Sequence, residues 1–144
     1  MNLPKISLKY SPGNFERIKV SSSIQVANYI RQLFDPDTIE LVESVFVLMF
    51  NRNMETIAYY PHSTGSTTGS LVDRKLILIA ALKCGAQGII FVHNHPSGNI
   101  KPSGNDIQIS EQLETACKAI DLQLIDSIII TKNSYYSLKD NNLI

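Results

Sequence analysis

A strand, a tight loop and the start of a helix follow one another in residues 88–110, which read GIIFVHNHPSGNIKPSGNDIQIS. The run at 88–92 is short, apolar and rich in branched side chains, which is typical of a strand that is covered on both faces. Pro96 cannot continue a sheet ladder and Gly98 frees the backbone, so we expect the chain to leave the strand in a loop. A helix is then predicted over residues 103–120.

Two histidines end this strand. Because side chains alternate along a strand, His93 and His95 are expected to point to one side and Asn94 to the other. Asp106 falls in the first turn of the following helix, where the helix dipole favours an ionised carboxylate. The loop returns that turn toward the histidines. His93, His95 and Asp106 are therefore predicted to be the ligands of a catalytic type of Zn²⁺ site, with a fourth position left for water.

Each part of this segment also has a simpler interpretation. A histidine pair at a strand end is more often structural than ligating, and Ser103 with Asp106 has the spacing of a capping box that needs no metal. Capping and metal binding are compatible, since Ser103 can cap through a lone pair while its hydroxyl proton faces the site. A hydrolytic zinc site also needs a general base. Glu43, just before an apolar strand, is the candidate, although a glutamate at a strand end is usually only a surface residue.

The rest of the chain predicts a mixed order of helices and strands. The predicted elements are a helix capped by Ser22 and ending by Asp35-Pro36, strands at 45–50 and 56–60, a polar loop at 63–70 that either borders a site or connects elements, a helix from Asp73 to Cys84 that ends at Gly85, and strands at 124–131 and 135–138. This order predicts an α/β sandwich with a central mixed sheet, not a doubly wound parallel sheet. Apolar residues nearly encircle the second helix, so we expect it to be largely buried.

The composition is that of one ordinary globular domain. The chain has 144 residues, of which 44% are hydrophobic, and its 13 basic side chains balance 13 acidic ones. General affinity for nucleic acid is therefore not expected without a local patch. Residues 1–20, with strand-like residues at 6–10, are interpreted as an N-terminal arm or edge strand, and residues 21–144 as the domain.

The compartment can also be inferred from the sequence. Neither a signal sequence nor an apolar run long enough to cross a membrane is visible, so we expect a soluble, cytoplasmic chain with no membrane partner. The two cysteines, Cys84 and Cys117, form no CxxC pair. They are predicted to pack as free thiols.

The candidate residues together resemble a known signature. Glu43, then His93-x-His95, seven intervening residues and Ser103-x-x-Asp106 resemble the JAMM signature of JAB/MPN metalloproteases. The string HNHPSG at 93–98, with the Pro-Ser pair at 102–103, is similar to the bacterial RadC branch of that family. The resemblance covers roughly residues 20–140.

The resemblance implies a cytidine-deaminase-like three-layer α/β sandwich with a central mixed sheet. It further implies a zinc ion on His93, His95 and Asp106, a water activated by Glu43, and help from Ser103 in stabilising the tetrahedral oxyanion. The expected activity is zinc-dependent hydrolysis of a peptide or isopeptide bond in a peptide or protein.

The chain also departs from its relatives. It has a serine at 127 where they usually have a histidine, which puts finer inferences about substrate handling in doubt. The helical, DNA-binding-like region of longer RadC proteins is not expected in this chain, which weakens the case for a role in DNA repair.

Two other functions are alternatives to hydrolysis. One is a non-catalytic module that binds protein or DNA in DNA repair or in mobile elements. The other is nucleobase deamination, which requires His-x-Glu and Pro-Cys-x-x-Cys, and the sequence contains neither. The sequence leaves the substrate and the oligomeric state open.

Overall fold

The computed structural model of the chain describes residues 3–5, 9–14, 16–67, 69 and 71–144. Within them, the elements in chain order are α1 (Ser23–Arg31), β1 (Ser44–Phe50), β2 (Thr56–Thr64), α2 (Arg74–Lys83), β3 (Gly88–Asn94), α3 (Gly104–Lys118), β4 (Gln123–Ile130) and β5 (Tyr135–Ser137). The predicted order is confirmed, although β2 continues into the predicted polar loop. Of the arm or edge strand predicted at 6–10, residues 6–8 lie outside the described residues.

The strands form one mixed sheet in the order β2-β1-β3-β4-β5. Only the pairing of β3 with β4 is parallel, and the other three pairings are antiparallel. All seven residues of β3 are buried, as the unbroken apolar run predicts for a central strand. The mixed sheet confirms the predicted fold class. His93 lies near the end of its middle strand, β3.

The helices cover both faces of the sheet. One core lies between the sheet and α1, and a second lies between the sheet and the pair α2 and α3. Alternation along β1 divides its side chains between the two, since Leu48 belongs to the first core and Val47 to the second. The protein is therefore the expected three-layer sandwich.

The helix starts follow the predicted capping chemistry. Ser22, Asp73 and Ser103 are the N-caps of α1, α2 and α3, and each side chain accepts a hydrogen bond from the backbone N–H three residues later. Gly85 follows α2 with a φ of 68°, the left-handed conformation predicted for the end of that helix.

The prediction that α2 is largely buried is wrong. Ile77 and Ala81 are fully buried, but Leu76, Ile79 and Leu82 are 46%, 49% and 57% exposed. The helix lies in an outer layer, so only the stripe that faces the sheet is covered. An apolar residue on the far side of such a helix stays in solvent.

Both cysteines are free thiols, as predicted. Cys117 is buried in the core between the sheet and α3, and burial raises the pKa of its thiol to about 11. It therefore stays protonated and packs as a small apolar side chain. No helix within the described ranges has the length and apolar character needed to cross a bilayer.

A buried carboxylate anchors the end of the chain to β4. Asp126 Oδ1 accepts hydrogen bonds from the backbone N–H groups of Ser127, at 2.7 Å, and Lys139, at 3.1 Å. Asp126 Oδ2 accepts from Ser137 Oγ at 2.6 Å. Burial raises the pKa of Asp126, and these hydrogen bonds only partly oppose the rise.

The raised pKa of Asp126 predicts a pH-dependent stability. At pH values between the unfolded pKa of about 4 and the higher folded pKa, the folded state binds more of the Asp126 proton than the unfolded state does. The contribution of Asp126 to the free energy of unfolding is thus largest below pH 4 and falls as the pH rises through the folded pKa. Asp126→Asn is expected to flatten this profile, since its amide can donate to Ser137 Oγ. Urea unfolding between pH 4 and pH 8 measures it, and an unchanged profile would contradict it.

Candidate metal centre

Three donor groups converge where β3 ends. His93 Nε2 and His95 Nε2 lie 3.1 Å apart, Asp106 Oδ1 lies 3.2 Å from His93 Nε2, and Asp106 Oδ2 lies 3.3 Å from His95 Nε2. In the part of the chain that the structure describes, this is the one group of histidine, cysteine or acidic residues spaced to hold a metal ion. The three residues that the sequence predicts as ligands are therefore neighbours.

The spacing of these donors fits a tetrahedral ion. Zinc binds histidine nitrogen and carboxylate oxygen at about 2.0–2.2 Å, so the ligands of a tetrahedral zinc site lie about 3.3 Å apart. The two imidazole nitrogens lie 3.1 Å apart, and each has a different oxygen of Asp106 at 3.2 or 3.3 Å, close to that value. Two imidazole nitrogens with one carboxylate are also a donor set of catalytic zinc sites. The residues fit such an ion as they stand.

The loop after β3 orients His95. Its Nδ1 lies 2.6 Å from the backbone carbonyl oxygen of Asn99. Nδ1 therefore carries the proton and donates it, which leaves the lone pair of Nε2 for a cation. Gly98, at a φ of 80°, makes the turn that returns Asn99 to the imidazole. The role of Asn99 is not apparent from the sequence, because the backbone carbonyl of any residue could accept this bond and only Gly98 indicates the turn.

Asp106 belongs to a capping box and to the donor cluster at once. The backbone N–H of Ser103 donates to Asp106 Oδ2 at 2.7 Å, and the backbone N–H of Asp106 donates to Ser103 Oγ at 3.1 Å. The predicted capping box is confirmed. Asp106 Oδ1 remains on the side of His93. Because capping uses only a lone pair of Ser103 Oγ, the hydroxyl proton is still available to donate.

The charges in the cluster depend on one another. Burial is the largest influence on the pKa of Asp106 and raises it, but the hydrogen bonds from His93 and His95 together hold that pKa well below its usual range. The hydrogen bond that Asp106 accepts from His95 raises the pKa of His95 against the effect of burial. Asp106 is thus an anion at physiological pH, and a proton and a cation compete for the nitrogen of His95.

Glu43 faces the same cavity as the donor cluster. This cavity of about 240 Å³ is lined by Glu43, Val45, Gly69, Val72, Phe91, His93, His95, Ser103, Asn105, Asp106 and Ile109. All five predicted site residues are among them. The antiparallel pairing of β1 with β3 places Val45 opposite His93, and this register brings Glu43 to the cavity.

The polar loop after β2 forms one wall of the cavity. Gly65 N donates to the carbonyl of Glu43 at 2.7 Å, and Ser66 and Gly69 exchange backbone hydrogen bonds. Gly69 has a φ of 154°, and a Cβ at this position would lie 3.9 Å from Glu43 Oε2. Residues 68 and 70 lie outside the described residues. Of the two interpretations that the sequence allows, a loop that borders the site is the one observed.

Ser127 is hydrogen-bonded beneath the site. The buried hydroxyls of Ser110 and Ser127 lie 2.8 Å apart, and Ser110 Oγ donates to the backbone carbonyl of Asp106 at 2.8 Å. Because a hydroxyl carries one proton, Ser127 donates to Ser110 in this arrangement. The pair therefore connects β4 to the helical turn that carries Asp106.

Removing half of this pair is expected to cost more than removing both halves. Ser110→Ala leaves the buried hydroxyl of Ser127 without its partner, which costs about 1–3 kcal/mol of the free energy of unfolding. In the Ser110→Ala, Ser127→Ala double variant neither polar group remains, so part of that loss should be recovered. Urea unfolding of the single and double variants tests this. A double variant less stable than Ser110→Ala would contradict it.

Comparison with known proteins shows a single family. The family of RadC-like JAB domains matches residues 20–143. A UPF0758 protein of Flavobacterium johnsoniae is 38% identical over 101 residues, which are 70% of this chain and 44% of the relative. A UPF0758 protein of Alkaliphilus metalliredigens is 40% identical over 97 residues, 67% of this chain and 42% of the relative.

A longer match gives the same result. A UPF0758 protein of Clostridium acetobutylicum is 33% identical over 131 residues, which are 91% of this chain and 56% of the relative. The chain thus spans about half the length of the curated relatives it matches. None of the three names states an activity.

Proposed function

The chain belongs to the RadC-like JAB domain family, and from this membership and its donor cluster we propose that it is a zinc-dependent hydrolase of amide bonds in peptides or proteins. The observation that carries the proposal is the convergence of two imidazole nitrogens and a carboxylate, 3.1–3.3 Å apart, on a cavity that Glu43 also lines.

His93, His95 and Asp106 would hold the ion. Zinc bound there would polarise a substrate carbonyl and lower the pKa of water to about 7. The bond from His95 to the carbonyl of Asn99 keeps its Nε2 turned toward the cluster. The capping box fixes the carboxylate of Asp106 in the first turn of α3. Both ligands are thus oriented before an ion binds.

Glu43 is the proposed general base. It takes the proton of the attacking water and passes it to the leaving amine, the two proton transfers that hydrolysis of an amide requires. The apolar side chains of Val45, Val72 and Phe91 line the same cavity. Apolar walls lower the local dielectric constant, which strengthens the electrostatic interactions between Glu43 and the reacting groups.

Ser103 is proposed to stabilise the oxyanion. Its Oγ accepts from Asp106 N and lines the cavity, so its proton can be donated toward a developing negative charge. Hydrogen-bond donors placed in advance at such a charge are among the largest contributions to acyl-transfer catalysis.

The size of the cavity favours a macromolecular substrate. At about 240 Å³ it is smaller than the roughly 300–1,000 Å³ of typical small-molecule sites. A polypeptide can present one bond to a small cavity while most of its mass stays outside. We therefore propose a peptide or protein substrate over a free small molecule.

Cleavage of a mixed peptide library tests the proposal. Purified protein with added zinc is incubated with synthetic peptides, some joined through lysine side chains, and new termini are identified by mass spectrometry. Cleavage is expected to stop when a chelator removes the metal and to return when zinc is restored. Cleavage that persists in the chelator would contradict the proposal.

A further inference from the structure

We propose that Asn94 is a positioning residue that sets the location of Glu43 relative to the metal centre, an inference that rests on the proposed function and deepens it. Asn94 stands between His93 and His95 and is fully buried. Because side chains alternate along β3, its amide lies on the face opposite the two imidazoles. It therefore contributes nothing to the cavity directly.

The side chain of Asn94 makes three hydrogen bonds to the segment that leads into β1. Asn94 Nδ2 donates to the backbone carbonyls of Ile39, at 2.7 Å, and Val42, at 3.0 Å. Asn94 Oδ1 accepts from the backbone N–H of Ser44 at 2.6 Å. Val42 and Ser44 are the two neighbours of Glu43 in the chain. One amide thus holds the backbone on both sides of the proposed base.

The ladder between β1 and β3 does not itself include Glu43. It begins with Val45 opposite His93, so the backbone before Val45 has no ladder partner on β3. Gly65 N binds the carbonyl of Glu43 from the side of β2, not from the strand that carries the ligands. The three hydrogen bonds of Asn94 therefore connect the ligand strand to the residues on either side of Glu43.

This connection matters because general-base catalysis depends on distance. A displacement of about 1 Å in a reacting group can lower a rate about a hundredfold. Asn94 lies between His93 and His95, so its side chain links the strand of the two histidines to the segment of Glu43. A movement of this strand therefore moves the two histidines and Glu43 together and preserves the distance between them.

The test combines amide exchange with cobalt loading of the whole chain. In Asn94→Ala, the exchange protection of the Ser44 amide in the metal-free protein is expected to fall about tenfold, as loss of one hydrogen bond predicts. The affinity for Co²⁺ and the visible spectrum of the bound Co²⁺ should stay as in the wild type. The Co²⁺-induced NMR shifts of the Glu43 and Ser44 amides should change. With a peptide that the wild type cleaves, kcat should fall about a hundredfold at unchanged KM.

Asn51→Ala is the matched control. Asn51 follows the opposite end of β1, where its Oδ1 accepts from Asn53 N and Glu55 N and its Nδ2 donates to Glu55 Oε2. This substitution also removes three side-chain hydrogen bonds, but Asn51 is only half-buried, so water can replace part of them and the Tm should fall less than in Asn94→Ala. It should leave the Ser44 exchange and the Glu43 shift unchanged.

The outcomes separate this inference from the proposed function. If the wild type binds Co²⁺ but Asn94→Ala leaves the Ser44 exchange and the Glu43 shift unchanged, or Asn51→Ala alters them equally, the inference is overturned and the proposed function stands. If the wild type binds no Co²⁺, both fail. If Asn94→Ala does not fold, the same measurements are made on Asn94→Ser. If neither variant folds, a protected Ser44 amide in the wild type supports the inference and a freely exchanging one overturns it.

Discussion

The zinc content of purified His95→Ala is expected to fall from about one ion per chain to nearly none. The substitution removes one of three donors, whose atoms lie only 3.1–3.3 Å apart in the structure. Changing a residue that merely supports a zinc ligand costs about 10–100-fold in affinity. Loss of the ligand itself should therefore weaken binding by more than about a hundredfold. Metal analysis and competition with a zinc-binding dye measure the content and the affinity.

Two variants make this result specific. His62 is the remaining histidine of the chain, and its Nε2 accepts from Asp73 N at 2.8 Å, outside the donor cluster. His62→Ala should keep its zinc. Asp106→Asn can still cap α3 through its side-chain oxygen but loses the negative charge, so it should fold and bind zinc weakly. Zinc retained by His95→Ala, or lost equally from His62→Ala, would contradict the ligand assignment.

Glu43→Gln is expected to keep its zinc and to lose hydrolysis. Glutamine has nearly the shape of glutamate but cannot take a proton from water. Loss of a general base lowers a rate by about 10²–10⁴. kcat/KM on a cleaved peptide, measured beside zinc content on the same preparation, tests both halves of this expectation.

Glu40→Gln is the matched control, three residues earlier in the same segment. Glu40 is exposed and pairs with Lys132 at 3.0 Å, away from the cavity. Its substitution should leave hydrolysis unchanged. If Glu43→Gln cleaved as fast as the wild type, another group would be the base. If it lost its zinc as well, Glu43 would be a ligand.

The convergence of His93, His95 and Asp106 was predictable because its rules are local. His93 and His95 share a side by strand alternation, and Asp106 follows from the capping spacing of one short loop and helix start. Glu43 reaches the cavity through the pairing of β1 with β3, which joins parts of the chain far apart in sequence. No local pattern encodes that pairing, so its position before an apolar strand made Glu43 only a candidate, which the resemblance to a known family then supported.

The features that the sequence did not reveal depend on tertiary placement. Apolar residues surround α2, but the sheet covers only one side of it, and the sequence does not state which side or how much. Alternation predicts correctly that Asn94 points away from the imidazoles. Its partners are the backbone groups of Ile39, Val42 and Ser44, and backbone groups carry no sequence signal. Such positioning is visible only once the segment before β1 has been placed.

Anomalous diffraction at the zinc absorption edge, from crystals of the protein grown with zinc, locates the ion itself. We expect one strong peak about 2.0–2.2 Å from His93 Nε2, His95 Nε2 and a carboxylate oxygen of Asp106, with Glu43 beside it but not among its ligands. Ordered crystals that show these four side chains but no peak between them, or a stronger zinc peak elsewhere on the chain, would contradict it.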